Sequence, residues 1–68
     1  MNQDVLNMEV RKFLKQVGVT SQREIEAAIH AGVASGKLAG KKTVSAKVIL
    51  TIESLGLSHE ISAEIALG

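Results

Sequence analysis

The chain has 68 residues, a net charge of +1 and no cysteine, so we expect one small domain and exclude disulfides and thiolate metal sites. The near-neutral charge excludes a strong electrostatic attraction to nucleic acid or to a membrane surface. No apolar run approaches the roughly 18 residues of a membrane span, and the N-terminus lacks the pattern of a secretory signal, so a cytoplasmic location is expected.

A first helix is predicted over residues 3–17. Asp4 lies where a cap or a first-turn acid would favour the positive end of the helix. Gly18 is the type of residue that commonly ends a helix in the left-handed conformation. Apolar residues recur at helical spacing and form one face: Leu6, Val10, Phe13, Leu14 and Val17.

A second helix is predicted to start at "TSQRE", where Ser21 followed three residues later by Glu24 has the pattern of a capping box. Gly36 is the expected end of this helix. The small residues of its apolar stripe would let another element approach closely. That stripe consists of Ile25, Ala28, Ile29, Gly32 and Val33.

From Thr43 the apolar period changes from helical to alternating, which predicts two β-strands. Gly56 would supply the left-handed residue of the turn between them. A turn at residues 54–57 places Leu50 opposite Ile61, and a slip of one residue would set apolar against polar side chains. The same register places Lys47 opposite Glu64, which is a favourable charged pair.

These elements predict an α+β fold in α-α-β-β order, with a helical hairpin packed on one face of an antiparallel β-hairpin. The whole chain, residues 1–68, would form this single domain. A two-stranded hairpin is marginal in water, so the helices must cover it. Each strand would keep one free edge, and such edges invite pairing with another chain.

The stretch "GKLAGKKT" resembles a phosphate-binding loop at first sight. In the loop GxxxxGK[ST], four residues separate the glycines, and the loop lies between a strand and a helix. Here three residues separate Gly36 from Gly40, Lys42 takes the place of the hydroxyl residue, and a helix precedes a strand. We therefore interpret the stretch as a helix end followed by a loop with solvated lysines.

Two further groups of residues could carry chemistry. Ser58, His59 and Glu60 are adjacent, but successive side chains of a strand point to opposite faces, which separates the histidine from the other two. Glu26 and His30 are four residues apart on a helix, and two ligands do not make a metal site. We therefore expect no catalytic residues, no metal and no cofactor, and we predict that the protein is not an enzyme.

Nucleic-acid binding is the alternative function. "GVTSQREI" resembles the opening of a recognition helix, and two helices before a hairpin resemble part of a winged helix. Glu24 occupies a position that is usually apolar in a helix-turn-helix, and the hairpin tip carries no basic residue for phosphates. The candidate contacts are the basic residues near the turn and in the following loop: Arg23, Lys37, Lys41 and Lys42.

Self-association is the preferred function. Val5 and Met8 fall outside the main stripe of the first helix, and Ile49 faces away from the helices. Together with Glu60 and Glu64 and the free strand edges, they form the candidate surface for a second copy or another protein. Two hairpins pairing edge to edge would give a four-stranded sheet with a twofold axis. Because a lone domain of this size is marginally stable, we predict a small interaction module that forms a homodimer.

The chain also resembles a family of short bacterial proteins of unknown function. The resemblance rests on "NMEVRKFLKQVGVTSQREIEAAI", on "ASGKLAG" and on the two strands ending in "EIALG". It covers nearly the whole chain and implies a bacterial, cytoplasmic, stand-alone domain. It implies no catalytic or binding residues.

Overall fold

One helix and one β-hairpin make up the fold. The computed structural model places helix α1 at Gln3–Ser35, strand β1 at Thr43–Ile52 and strand β2 at Leu57–Ala66. A short 3-10 turn at Glu53–Leu55 joins the strands, which pair antiparallel in a two-stranded sheet. The α+β class and the change of period at Thr43 are therefore confirmed.

The predicted helical hairpin is wrong, because α1 continues unbroken for 33 residues. Gly18 lies inside the helix and does not have a positive φ. An interior glycine costs only about 1 kcal/mol, whereas a break would leave four N–H and four C=O groups without helical partners. Ser21 is consequently an interior residue and no cap. The Thr20 hydroxyl donates to the Gln16 carbonyl at 2.8 Å, a bond typical of helix interiors.

Both ends of α1 are capped. The Asn2 side chain accepts hydrogen bonds from the amides of Asp4 and Val5 at 2.9 and 3.1 Å, so Asn2 is the N-cap and Asp4 the first-turn acid. Gly36 follows the helix with φ 80°, and its N–H donates to the Val33 carbonyl. This left-handed glycine confirms the predicted helix end.

The predicted register of the hairpin is wrong by two residues. Ile52 pairs with Leu57, so the turn comprises residues 53–56, and Gly56 takes its left-handed conformation at φ 64°. The 3-10 turn draws Glu53 out of the strand, which places Val48 opposite Ile61. A shift of two keeps every side chain on its predicted face, because side chains alternate with a period of two.

The charged pair also changes with the register. Glu64 lies opposite Ser45 and accepts a hydrogen bond from its hydroxyl. Lys47 lies opposite Ser62 and forms an ion pair of 3.6 Å with Glu60, its diagonal neighbour. Apart from Ile49, the outer face of the sheet is thus polar, as the alternation predicts.

Helix α1 lies along β1 and runs antiparallel to it. Gly32 shares a cavity with Val44 near the start of β1, and Phe13 shares one with Thr51 near its end. The half-buried residues of the chain mark this contact and the loop that supports it: Val17, Ser21, Ile29, Gly32, Leu38, Val44, Ala46, Leu50, Ile65 and Leu67.

One helix on one hairpin does not enclose a core. No residue is buried. The radius of gyration is 16.0 Å, whereas a compact domain of this length would have about 11 Å. The molecule measures 51 × 21 × 17 Å, and its long axis matches the length of about 50 Å expected for a helix of this size.

The first prediction concerns Gly18 and Gly32, two glycines inside α1 that differ in the space around them. A Cβ at Gly18 meets no atom within 4 Å, whereas a Cβ at Gly32 lies 3.1 Å from the Leu38 side chain. We expect Gly18→Ala to raise the free energy of unfolding by about 0.5–1 kcal/mol through helix propensity. We expect Gly32→Ala to gain clearly less, because Leu38 must move. Urea denaturation followed by far-UV circular dichroism measures both.

The two variants control each other, since each removes one interior helical glycine. Equal gains would show that Leu38 does not press on the helix. A loss of stability in Gly18→Ala would show that another surface touches the helix at this glycine.

Candidate interaction surface

The loop between α1 and β1, residues 36–42, is closed by hydrogen bonds between its own backbone groups. Gly36 and Gly40 both have positive φ. The Ala39 amide donates to the Gly36 carbonyl at 3.2 Å, and the Lys41 amide donates to the Leu38 carbonyl at 3.0 Å. Leu38 is half-buried against Gly32 and anchors the loop to the helix. The loop therefore connects α1 to β1 as a folded turn.

The polar residues singled out as chemical candidates lie apart. His59 is paired with Leu50 on the helix-facing side of the sheet, while alternation places Ser58 and Glu60 on the outer side. On the helix, the Glu26 carboxylate accepts a hydrogen bond from the side-chain Nε2 of Gln22 at 3.1 Å. No three histidine, aspartate or glutamate side chains come together as metal ligands.

The basic residues considered for nucleic acid do not form one patch. Arg23 lies in the middle of α1, and Lys37, Lys41 and Lys42 lie in the loop after Ser35. The helix rises by about 18 Å between Arg23 and its last residue. The turn on which the helix-turn-helix alternative depended is absent, because α1 is continuous. Nucleic-acid binding stays a prediction without that turn to support it.

An exposed apolar surface lies on β2. Because α1 lies over β1, β2 contributes a single half-buried residue, Ile65. On the helix-facing side of β2, Ile61 is 54% exposed and Leu57 is 43% exposed. We call this side of the strand the β2 apolar face, which comprises Leu57, His59, Ile61, Ala63 and Ile65.

The N-terminal half of α1 carries a second exposed apolar stripe. Phe13, the one aromatic residue of the chain, is 54% exposed. The stripe lies on the predicted apolar face of the first helix, but no second helix is present to cover it. Its remaining exposed members are Leu6, Val10 and Leu14.

The free edges of the sheet can be assigned to particular residues. The Leu67 amide donates to the Lys42 carbonyl at 2.9 Å, which makes this a hydrogen-bonded pair. In an antiparallel ladder such pairs alternate with pairs whose backbone groups point outward. The unpaired N–H and C=O groups of β2 therefore belong to Ser58, Glu60, Ser62, Glu64 and Ala66. Those of β1 belong to Thr43, Ser45, Lys47, Ile49 and Thr51.

The free edges of β1 and β2 differ in how accessible they are to another strand. Lys47 lines one cavity between α1 and the sheet, and Ile49 and Thr51 line another. Helix α1 therefore extends over the free edge of β1. No residue from the edge of β2 shares a cavity with the helix. Ser62 and Glu64 line a hollow that is formed by strand residues alone. The edge of β2 is the open one.

The predicted surface residues occupy three separate places. Val5 and Met8 are exposed on α1, where Met8 reaches 60%. Ile49 is 56% exposed on β1, and Glu60 and Glu64 lie on the outer face of β2. Sequence reasoning missed Leu57, Ile61 and Phe13 as surface residues, because it assigned them to a core under two helices. No local signal in the sequence could have shown that the second helix is missing.

The ion pair on the outer face gives a second prediction. The Lys47 and Glu60 side chains are 58% and 57% exposed, and exposed pairs contribute little to stability. We expect Glu60→Gln to change the free energy of unfolding by less than about 0.5 kcal/mol. Urea denaturation at low and high salt measures this change. Glu53→Gln, which removes the same charge from a residue without an ion pair, is the matched control.

A loss of more than about 1 kcal/mol relative to Glu53→Gln would contradict the assignment of this pair as a weak surface contact.

A family model described as a family of unknown function, DUF6494, matches residues 1–68. The chain therefore belongs to this family. No curated protein and no solved structure matches the chain. No helix combines the length and the apolarity that crossing a membrane requires.

Proposed function

We propose that this member of DUF6494 is a non-enzymatic interaction module whose working form is self-associated. A second copy covers the apolar surface that one copy leaves exposed, namely the β2 apolar face and the N-terminal stripe of α1. The biological task of the module is then carried by the assembled form and not by a catalytic pocket.

The observation that carries this proposal is the exposed area of a single chain. The accessible surface is 6021 Å². A compact monomer of 7.2 kDa would expose about 4,100 Å², and its unfolded chain about 10,400 Å². Folding of one copy thus removes only about two fifths of the unfolded surface, whereas about three fifths is normal for a domain of this size.

The excess area has the size of an interface. It amounts to about 1,900 Å² per chain by the same scaling. Each partner of a standard interface buries about 800 Å², and each partner of an obligate homodimer about 1,000–2,500 Å². A second copy could therefore bring the exposed surface to the value of a compact protein, and the magnitude favours an obligate interface over a transient one.

The placement of the polar residues supports a role without catalysis. His59 lies on the opposite face of the sheet from Ser58 and Glu60, so these residues cannot form a hydrogen-bonded chain without rearrangement of the strand. The hollow on the outer face is shallow and lies between exposed strand residues. It does not offer the enclosed, mostly apolar shape that ligand pockets usually have.

The third prediction is the molar mass in solution. We expect light scattering with refractive-index detection to give twice 7.2 kDa; this detection suits a chain without tryptophan or tyrosine. We also expect the melting temperature to rise with protein concentration, because association stabilises the folded state by mass action. A cooperatively folded species of 7.2 kDa, with a melting temperature independent of concentration, would contradict the proposal.

A further inference from the structure

We infer that the second copy pairs along the free edge of β2, with a twofold axis beside Ile61. Two hairpins then form a four-stranded antiparallel sheet in the order β1-β2-β2-β1, and both helices lie on the same face. This inference rests on the proposed self-association and adds to it the edge, the register and the residue at the axis.

The position of α1 selects the edge. Neighbouring strands lie about 4.8 Å apart, and packed helices need about 8–10 Å between their axes. Pairing through β1 would place the two β1 strands next to each other, so the helices above them would overlap. Pairing through β2 separates the two β1 strands by about 14 Å. Because α1 also extends over the free edge of β1, the helix axes lie at least this far apart, and each helix must move toward the axis by more than about 2 Å to reach packing distance.

The exposed apolar area selects the same edge. Within the β2 apolar face, α1 leaves Leu57 and Ile61 uncovered, at 43% and 54% exposure. In the order β1-β2-β2-β1, the two β2 strands lie in the middle of the sheet beneath both helices. Leu57 and Ile61 would therefore become buried once the two helices move toward the axis, with the helix and strands of each copy unchanged.

Charge selects the register. A twofold axis between two copies of β2 permits only pairings that differ by steps of two residues, because the outward-pointing backbone groups belong to every second residue. With Ile61 opposite Ile61 of the second copy, Glu60 lies opposite Ser62 of the second copy, and Ser58 opposite its Glu64. No carboxylate then faces another across the ladder.

The neighbouring registers are worse for the same reason. A shift of one step in one direction places Glu60 opposite Glu64 of the second copy, and a shift in the other direction places Glu60 opposite Glu60 of the second copy. Like charges directly opposite each other destabilise a strand pair. The Ile61 register also overlaps nearly the whole of β2, whereas larger shifts leave several of its residues unpaired.

The apolar side agrees with this register. Leu57 would face Ile65 of the second copy, and His59 would face its Ala63, so the β2 apolar face continues across the axis. Because α1 runs antiparallel to β1, it runs parallel to β2, and the twofold axis makes the two helices antiparallel. The N-terminal stripe of each helix, including Phe13, would then extend along the second copy.

Cysteine crosslinking tests the pairing, since the chain has no cysteine of its own. Residue 61 would form a non-hydrogen-bonded pair with itself at about 4.5 Å between Cα atoms, which lies within the disulfide range of about 4.4–6.8 Å. We expect Ile61→Cys to form a disulfide dimer under mild oxidation. Ile49→Cys is the matched control, because Ile49 is similarly exposed at 56% but lies at the other edge. We expect the Ile61→Cys crosslink to form at least about tenfold faster.

A measurement on the wild-type chain guards against variants that fail to fold. In a sample that mixes isotope-labelled and unlabelled copies, isotope-filtered nuclear Overhauser spectra detect contacts between copies. We expect contacts of the Ile61 methyls with Ile61 and of Leu57 with Ile65 across the axis.

The outcomes separate this inference from the proposed function. A wild-type dimer in which Ile49→Cys crosslinks faster, or in which Ile61 shows no contact between copies, would overturn the β2 pairing and leave self-association intact. A wild-type monomer at all accessible concentrations would overturn both.

Discussion

The fold has too few elements to bury its apolar side chains, and the other features of the structure depend on this constraint. A sheet has two faces and a helix buries only one stripe, so one helix and one hairpin cover only part of each other's apolar surface. Helix α1 lies along β1 and leaves Leu57 and Ile61 of β2 exposed, and no residue of the chain becomes buried. The elements are nevertheless well defined locally, since caps close both ends of the helix and a left-handed glycine closes the hairpin. The secondary structure is thus well formed, although tertiary packing buries too little apolar surface.

Much of the local structure could be predicted from the sequence, because it depends on short-range rules. The end of α1 at Gly36, the turn glycine Gly56 and the alternation from Thr43 onward were all predicted from residue type and period. Which side chains share a face of the sheet was also correct. These features survive an error in register, because a slip of two residues leaves the alternation unchanged.

The errors in the predicted helix break and hairpin register arose where the same residues fit two different local structures. Gly18 can end a helix or lie inside one, and the choice depends on whether the chain beyond it gains more from a new direction than from continued helical hydrogen bonds. Ser21 and Glu24 likewise match a capping box that an unbroken helix does not need. The predicted register was wrong because Glu53 belongs to a 3-10 turn, and residue type does not distinguish such a turn from the end of a strand. The candidate surface depended on the predicted second helix, so Leu57 and Ile61 were placed in a core that one helix cannot form.

The part of α1 before Phe13 lines no cavity with the sheet, which has a consequence for the stability of a single copy. The contacts that fold the hairpin, and those that form the helix, join residues close in sequence, so both elements can form rapidly and independently. A single copy therefore carries a helical arm that is held mainly by its own backbone bonds, and such segments open at low free-energy cost. A protease that acts on opened segments would cut a single copy first within this arm.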